Sequence, residues 1–185
     1  MDFYINVRIN PDAEMRENVL LNKVYSKFHK ALFSLKSTDI GVSFPEYNVK
    51  LGRTMRIHGS ESKLINLQSM KWLGGLAGYC DESVVRSVPK NEVSHRTVSR
   101  KQANMTAAKL RRLIKRSSIS EVEVKRYKTD MFKQGLDAPY LELQSGSNGH
   151  RHRRYIILGE LSAVARVGQF DQFGLSKTAT VPWFR

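Results

Sequence analysis

Hydrophobic and polar positions follow two different periods in the first half of the chain. Phe3, Ile5 and Ile9 alternate with polar neighbours, which predicts a strand with one buried face. Over residues 17–35 the apolar positions recur every three or four residues, which predicts a long amphipathic helix. Similar patterns predict strands at residues 40–44, 53–58 and 83–88, and a helix that Ser60 caps and that ends near Met70.

This order of elements, β-α-β-β-α-β, is the ferredoxin-like arrangement that many RNA-binding modules share. The sequence therefore predicts an α+β protein with an N-terminal ferredoxin-like (RRM-like) domain at residues 1–92. A smaller α+β domain is expected at residues 93–185, after the Pro89-Lys90-Asn91 break. Its predicted elements are a helix at 106–116, a helix opened by the capping box 120–123, and strands at 140–145, 153–158, 161–167 and 178–184.

The helix predicted at residues 106–116 (TAAKLRRLIKR) has two contrasting faces. Leu110, Leu113 and Ile114 share one side, and five cations without a carboxylate fill the opposite side. Solvated helix faces usually mix both signs of charge, so a purely cationic face favours a polyanionic partner over the simple alternative of a solvated surface. The cations are Lys109, Arg111, Arg112, Lys115 and Arg116.

Composition agrees with a nucleic-acid partner. The chain has 31 Lys and Arg against 17 Asp and Glu, a net charge of +14 and a pI near 10.1. Residues 96–128 hold eleven of those cations and two acids. No run of apolar residues is long enough to span a membrane, and the N-terminus does not resemble a signal peptide. Cys80 stands alone, which excludes an internal disulfide, so we expect a cytoplasmic protein.

Three short elements can carry chemistry. His29 lies at the edge of the apolar stripe of the first helix, where an imidazole can act as a base at neutral pH or serve a structural role. The loop at residues 145–149 offers hydroxyls to a ribose or phosphate, although most such loops only turn the chain. Histidines and arginines at residues 150–154 can stack on bases and hold phosphates.

The sequence does not predict a catalytic metal or another cofactor. Five scattered histidines and one cysteine lack the paired spacing of metal ligands. If RNA is cut, the metal-free route is expected: a histidine deprotonates a ribose 2′-hydroxyl, which attacks the adjacent phosphate.

Five ordered motifs give the chain a specific resemblance. They are the MDFYINVRI start, KFHKAL around His29, GVSFP, SRKQA before the basic helix, and the closing FGLSK and VPWF. Together they resemble the CRISPR-associated endoribonucleases of type I-F systems, which process precursor CRISPR RNA at the repeat hairpin. The resemblance extends over essentially the whole chain.

The resemblance implies roles for individual residues. His29 matches the catalytic general base, and Ser145 matches a serine that constrains the ribose of the attacking nucleotide, with Ser147 as a nearby alternative. Phe173 stands where the family often has a tyrosine near the active site, and His152 stands where it has an aromatic residue that stacks on RNA. These two departures leave a hairpin-binding subunit without cleavage as the alternative function.

The resemblance also implies the RNA contacts. Arg100 and Gln102 match a pair that reads base edges at the bottom of the hairpin stem, in keeping with bidentate Arg–guanine and Gln–adenine geometry. The basic helix matches the arginine-rich helix that enters the stem's groove. The expected partners are therefore the CRISPR repeat hairpin and the other subunits of the type I-F surveillance complex. A DNA-binding protein is the weakest alternative because it leaves His29 and the serines unused.

Overall fold

The computed structural model describes residues 1–101, 107–136, 138–144 and 149–184, which form a mixed α and β fold with antiparallel sheets. The first half contains β1 (Phe3–Ile9), α1 (Glu17–Leu35), β2 (Gly41–Ser43), β3 (Thr54–Gly59), α2 (Glu61–Ser69), a 3₁₀ turn (Gly74–Tyr79), β4 (Cys80–Glu82) and β5 (Arg86–Ser87). The second half contains β6 (Ser94–Arg96), β7 (Val98–Arg100), α3 (Ala107–Lys115), α4 (Glu121–Leu136), β8 (Tyr140–Gln144), β9 (Arg151–Leu158) and β10 (Val181–Trp183).

The N-terminal sheet has the strand order β2-β3-β1-β4, and β5 also pairs with β1. Ile5 lies opposite Ile57 and Val7 opposite Met55, so the apolar positions of β1 and β3 share one face. Helices α1 and α2 pack against these strands. The predicted bounds of β1 and α1 are confirmed, and those of β2 and β3 differ by one residue at each end.

Of the strand predicted at residues 83–88, only Arg86–Ser87 is a strand in the structure. Two short strands, β4 and β5, pair with opposite ends of β1 and flank Ser83. The Ser83 hydroxyl accepts a hydrogen bond from the Asn6 main-chain N–H at 3.0 Å, and the Ser83 carbonyl accepts one from the Gln68 side chain. A side chain thus takes the place of a ladder bond, and Val84 turns outward to 71% exposure.

The second face of the N-terminal sheet is also covered. All six residues of β3 are buried, including Arg56 and His58. The Arg56 guanidinium donates to the Phe184 carbonyl oxygen at 2.8 Å and stacks 4.0 Å from the centre of the Phe184 ring. The C-terminal segment therefore closes the sheet face that lies opposite the helices.

Helix α1 also packs on a second sheet, of order β7-β9-β8. Leu141, Leu143 and Ile156 belong to the same buried cluster as the apolar stripe of α1. The Asn22 side-chain oxygen accepts the main-chain N–H of Glu142 at 3.0 Å, which ties α1 to β8. This packing places α1 and the inner face of β9 in the same buried cluster.

Two predicted helix caps have different outcomes. The capping box before α4 is confirmed, because the Ser120 N–H donates to the Glu123 carboxylate at 2.8 Å and the Glu123 N–H donates to Ser120 Oγ at 3.3 Å. The hydrogen bonds that the Ser120 N–H and the Ser120 hydroxyl donate to the Glu123 carboxylate lower the pKa of that group. Ser60 does precede α2, but its hydroxyl makes no capping hydrogen bond.

The strand predicted at residues 161–167 is wrong. Ser162 forms one isolated bridge with His95, while Leu161, Val164 and Val167 are exposed. Their alternation therefore reflects no buried face. None of the helices in the described part of the chain is both long and apolar enough to cross a membrane.

Candidate active site

His29 lies near the C-terminal end of α1, directly after the buried Phe28, and its side chain is partly exposed. Its Nδ1 lies 2.7 Å from the main-chain carbonyl oxygen of Gln172, 143 residues later in the chain. A carbonyl oxygen can only accept a hydrogen bond, so Nδ1 carries the proton in this contact. The main chain thus fixes the tautomer in which Nε2 is the basic atom of the neutral ring.

The Phe173 ring stacks on the His29 imidazole. The ring centres are 3.7 Å apart and the planes differ by 5°. This contact limits rotation of the imidazole about its side-chain bonds, while the Gln172 carbonyl fixes the direction of its Nδ1 edge. The sequence resemblance placed Phe173 near the active site, and the structure brings it into direct contact with His29.

The segment that carries Phe173 is held by its own turn. The Asp171 carboxylate accepts the main-chain N–H groups of Phe173 and Leu175, both at 2.9 Å. Gly174 has φ +70°, and a Cβ there would lie 3.1 Å from a ring carbon of Phe28. The Tyr25 hydroxyl donates to the Phe173 carbonyl oxygen at 2.8 Å, so α1 also anchors the segment.

Arg154, on β9, contacts the same aromatic ring. Its guanidinium carbon lies 3.5 Å from the centre of the Phe173 ring, and the residue is 6% exposed. Its Nε has no hydrogen-bond partner among the described residues. Burial lowers the pKa of Arg154; the neighbouring Tyr25 and Asp171 oppose this shift and Arg100 adds to it. The site therefore contains a buried cation that the sequence did not single out.

Two predicted RNA-binding residues lie on the strands that carry this site. His152 is partly buried and shares the inner face of β9 with Arg154, because the two positions are two residues apart. Arg100 ends β7, is exposed, and is paired across the sheet with Ile156 of β9. The positive charge of Arg100 lowers the pKa of the nearby Arg154. Two arginines, Arg154 on the Phe173 ring and Arg100 close to Arg154, thus lie on one side of the site formed by His29 and Phe173.

Three predicted site residues, Gln102, Ser145 and Ser147, lie outside the described residues. The structure does describe the residues from which they continue. Gln144, at the end of β8, is paired with Arg151 at the start of β9, so residues 145–150 connect these two strands. The roles expected for the two serines and for Gln102 stay predictions.

The basic helix is confirmed as α3, with Arg116 directly after its end. Leu110 is 5% exposed and Leu113 is half-buried, and the helix packs on α4. Ile114, which we expected on the apolar side, is 48% exposed. The five predicted cations are all exposed: Lys109, Arg111, Arg112, Lys115 and Arg116.

Sequence reasoning missed the contacts that orient His29. Gln172 acts through its main-chain carbonyl, which leaves no side-chain pattern to detect. Arg154 also left no clear signal, because Tyr155 and Ile157 are apolar on the opposite face and the sequence does not show which of Arg153 and Arg154 lies inside. A buried arginine is informative once the structure shows it, because charged residues are almost never fully buried unless they are paired.

Comparison with known proteins gives a consistent result. The family described as CRISPR-associated protein (Cas_Csy4) matches residues 4–184. The protein named CRISPR-associated endonuclease Cas6/Csy4 of Escherichia coli (strain UTI89 / UPEC) is 36% identical over 185 residues, and both chains are fully covered. The protein of the same name from Pseudomonas aeruginosa (strain UCBPP-PA14) is 37% identical over 188 residues, again with full coverage.

A solved structure is also similar, but more distantly. The CRISPR endoribonuclease Cse3 bound to a 19-nucleotide RNA aligns over 98% of this chain with 12% identity and a TM-score of 0.39, too low to support an argument. The two sequence matches establish the family by themselves, because they extend over the whole length of the chain and more than a third of the residues are identical. This chain is a member of the Csy4 family of CRISPR-associated proteins.

Proposed function

We propose that this chain, an endoribonuclease that processes precursor CRISPR RNA, cuts the repeat hairpin without a metal ion and uses His29 as the general base. The hydrogen bond from Nδ1 to the Gln172 carbonyl oxygen is the observation that carries this proposal. In this bond Nδ1 is the donor, so Nε2 is the ring nitrogen that can accept a proton.

The reaction begins when Nε2 takes the proton of the 2′-hydroxyl just upstream of the cut. The resulting oxygen attacks the adjacent phosphorus, and the bond from phosphorus to the 5′-oxygen breaks. The attack leaves a 2′,3′-cyclic phosphate on the upstream product. The leaving 5′-oxygen takes a proton from solvent and becomes a 5′-hydroxyl, and His29 returns the proton that it accepted to solvent. A general base at this step contributes typically about 10²–10⁴-fold to the rate.

Neighbouring residues assist His29. Phe173 packs on the imidazole and keeps its plane fixed, a role that needs the ring rather than a hydroxyl. By resemblance, Ser145 constrains the attacking ribose, with Ser147 as its alternative. His152, on the inner face of β9, stacks on the RNA near the cut or contacts the phosphate.

Recognition of the hairpin is divided between two surfaces. The exposed cations of α3 follow the phosphates of the stem, and each contact releases counterions. Arg100 and Gln102 read base edges at the bottom of the stem. The simpler alternative is that the cationic face of α3 is only solvated. This alternative is disfavoured because the described part of the helix, residues 107–115, carries no carboxylate.

We also assign the N-terminal unit, residues 1–92, to the ferredoxin-like class. Its element order and the antiparallel strand order β2-β3-β1-β4 support this assignment. The remaining residues, 93–185, form the RNA-recognition unit that carries α3. Both units contribute to one buried cluster, so His29 of the first and Phe173 of the second meet in a fixed position.

The protein is expected to stay on its product. The surface that recognises the stem survives cleavage, so the mature RNA keeps every contact made upstream of the cut. By resemblance, the complex of protein and 3′ hairpin is then a subunit of the type I-F surveillance complex. The unpaired Cys80 suits a reducing compartment, and we place the protein in the cytoplasm.

Two matched substrates test the cleavage route. The first is the all-ribose repeat hairpin incubated with the protein in EDTA, and we expect full cleavage to a 2′,3′-cyclic phosphate. The second carries one 2′-deoxy nucleotide just upstream of the cut, and we expect binding without cleavage. Scission of the deoxy substrate would overturn the 2′-hydroxyl attack. An intact all-ribose hairpin in EDTA that is cut once Mg²⁺ is added would overturn metal independence, and one that stays intact with the metal would favour the non-cleaving alternative.

A further inference from the structure

We propose that Arg154 is a positioning residue for cleavage: its guanidinium holds the Phe173 ring against His29, and the ring in turn orients the imidazole. The inference deepens the proposed function and rests on His29 being the base. It assigns a role in the reaction to a buried arginine that the cation-rich segment 150–154 does not distinguish by sequence alone.

The three planar groups form one stack. The His29 ring centre and the Arg154 guanidinium carbon lie 3.7 Å and 3.5 Å from the centre of the Phe173 ring. Two groups this close to one ring centre cannot share a face without overlapping, so they lie on opposite faces. Phe173 is therefore clamped between the base and a buried cation.

A buried cation at this position lowers the stability of the fold. Arg154 is 6% exposed, its Nε lacks a hydrogen-bond partner among the described residues, and Arg100 repels it. Taking a charged group out of water is costly, and an apolar side chain at this position would avoid that cost. Leucine or methionine would thus suffice if position 154 served packing alone.

A guanidinium provides what an apolar side chain cannot. It is planar, it matches the face of an aromatic ring, and its charge is attracted to the ring's electrons. The Asp171 carboxylate and the Tyr25 hydroxyl fix the main chain at Phe173, but these bonds leave the ring free to rotate. The stack with Arg154 removes that freedom from the side opposite His29.

Precise orientation matters because proton transfer requires short contacts. The 2′-hydroxyl must approach Nε2 within hydrogen-bond reach, and a misplacement of about 1 Å can cost on the order of 10²-fold in rate. Arg154 is separated from His29 by the Phe173 ring, so it acts through that ring. A direct contact between Arg154 and the RNA is the competing interpretation, and the experiment distinguishes the two.

The experiment measures the single-turnover cleavage rate at saturating protein and, separately, the affinity for the uncleavable 2′-deoxy hairpin. For Arg154→Met we expect a rate about 10- to 100-fold lower and an affinity within about twofold of the wild type. Arg96→Met is the matched control. Arg96 also stacks on an aromatic ring, 4.7 Å from the centre of Trp183, but it lies in the β6–β10 sheet. We expect its saturating rate to be unchanged.

A double substitution tests whether Arg154 acts through Phe173. In a Phe173→Leu background, Arg154→Met should slow cleavage little further, because the ring that transmits its effect is absent. The ring-current shifts of the His29 imidazole protons provide a readout without RNA. These shifts should decrease in Arg154→Met and be unaffected in Arg96→Met.

Several results would overturn the proposal. Cleavage at the wild-type rate with unchanged His29 signals would show that the stack does not need Arg154. Equal losses of rate and affinity would assign Arg154 to direct RNA contact. If Arg154→Met does not fold, Arg154→Lys keeps the charge and loses the planar group, and wild-type rate and signals in that variant would also contradict the proposal. Failure of the proposed function is recognised separately, because the His29 signals report the stack whether or not His29 is the base.

Discussion

The proposed catalytic corner, formed by His29, Phe173 and Arg154, and the cationic helix α3 are built on opposite physical principles. The corner is a packed stack with one hydrogen bond to the main chain, and its cation is 6% exposed. Among the side chains described at residues 109–115 of helix α3, Leu110 is buried, and all of the predicted cations are exposed. Geometry dominates in the corner and charge dominates on the helix, so substitutions should separate rate from affinity.

The largest effect on affinity is expected at α3. Replacing Arg112 and Arg116 together should weaken hairpin binding on the order of 100-fold at moderate salt and should reduce the log–log salt slope by about 0.7–0.9 for each contact removed. The cleavage rate at saturating protein should stay close to the wild type. Binding titrations at several salt concentrations measure the slope, and an unchanged slope would show that these arginines do not contact phosphates.

A smaller and more local effect is expected at the base-reading pair. Arg100→Ala or Gln102→Ala should each cost about 1–3 kcal/mol at one base pair and relax the preference there. Measuring affinity for hairpins that differ in that pair alone tests this expectation. If these variants lowered affinity equally for every hairpin and also reduced the salt slope, then positioning and reading would not be divided as proposed.

The contrast between dry and solvated regions also predicts how stability depends on pH. Burial, with the charges of Arg56 and the N-terminus, holds the pKa of His58 well below its usual range. Below pH ~6.5, His58 binds a proton in the unfolded chain but stays neutral in the folded protein. The stability that His58 contributes is therefore present above pH ~6.5 and is lost as the pH falls below that value.

Denaturant unfolding between pH 7.5 and 5 should therefore show a decrease of up to about 1.4 kcal/mol per pH unit from this one group. His58→Gln should lack that component, although it has a lower stability at pH 7.5. Arg112→Ala serves as the control from the solvated region and should keep the wild-type pH dependence. A pH dependence that is identical in His58→Gln and the wild type would contradict the assignment.

The smallest effect is expected at the family departure in the corner. Phe173→Tyr restores the residue that the family often carries, while the ring that packs on His29 is kept. The activation free energy of cleavage should change by no more than about 0.5 kcal/mol, which is roughly twofold in rate. A much larger gain measured at saturating protein would mean that the missing hydroxyl limits catalysis in this chain.

Sequence predicted the parts of this molecule that depend on local periodicity. The bounds of β1 and α1, the capping box of α4 and the cationic face of α3 all follow from patterns within a few residues. The helical period made His29 a candidate at the edge of the apolar stripe, whereas the family motifs gave it the role of a base and singled out Phe173. Their contact depends on a carbonyl 143 residues away and on a turn closed by Asp171, which no local pattern encodes.

The errors have the same physical origin. Alternation at residues 161–167 predicted a strand, but a strand needs a partner and a surface to cover, and Leu161 and Val167 have neither. The strand predicted at residues 83–88 is confined to Arg86–Ser87, because the Ser83 hydroxyl competes with the ladder. In both cases tertiary contacts, which a sequence window does not contain, decided the outcome.

The central claim is that His29 alone supplies the base for a metal-free cut while contributing little to hairpin affinity. The most direct test compares His29→Ala with the wild type in EDTA, using the single-turnover rate at saturating protein and the affinity for the 2′-deoxy hairpin. We expect the rate to fall by at least about 10²-fold and the affinity to stay within about twofold. Cleavage at the wild-type rate, or equal losses of rate and affinity, would contradict the claim.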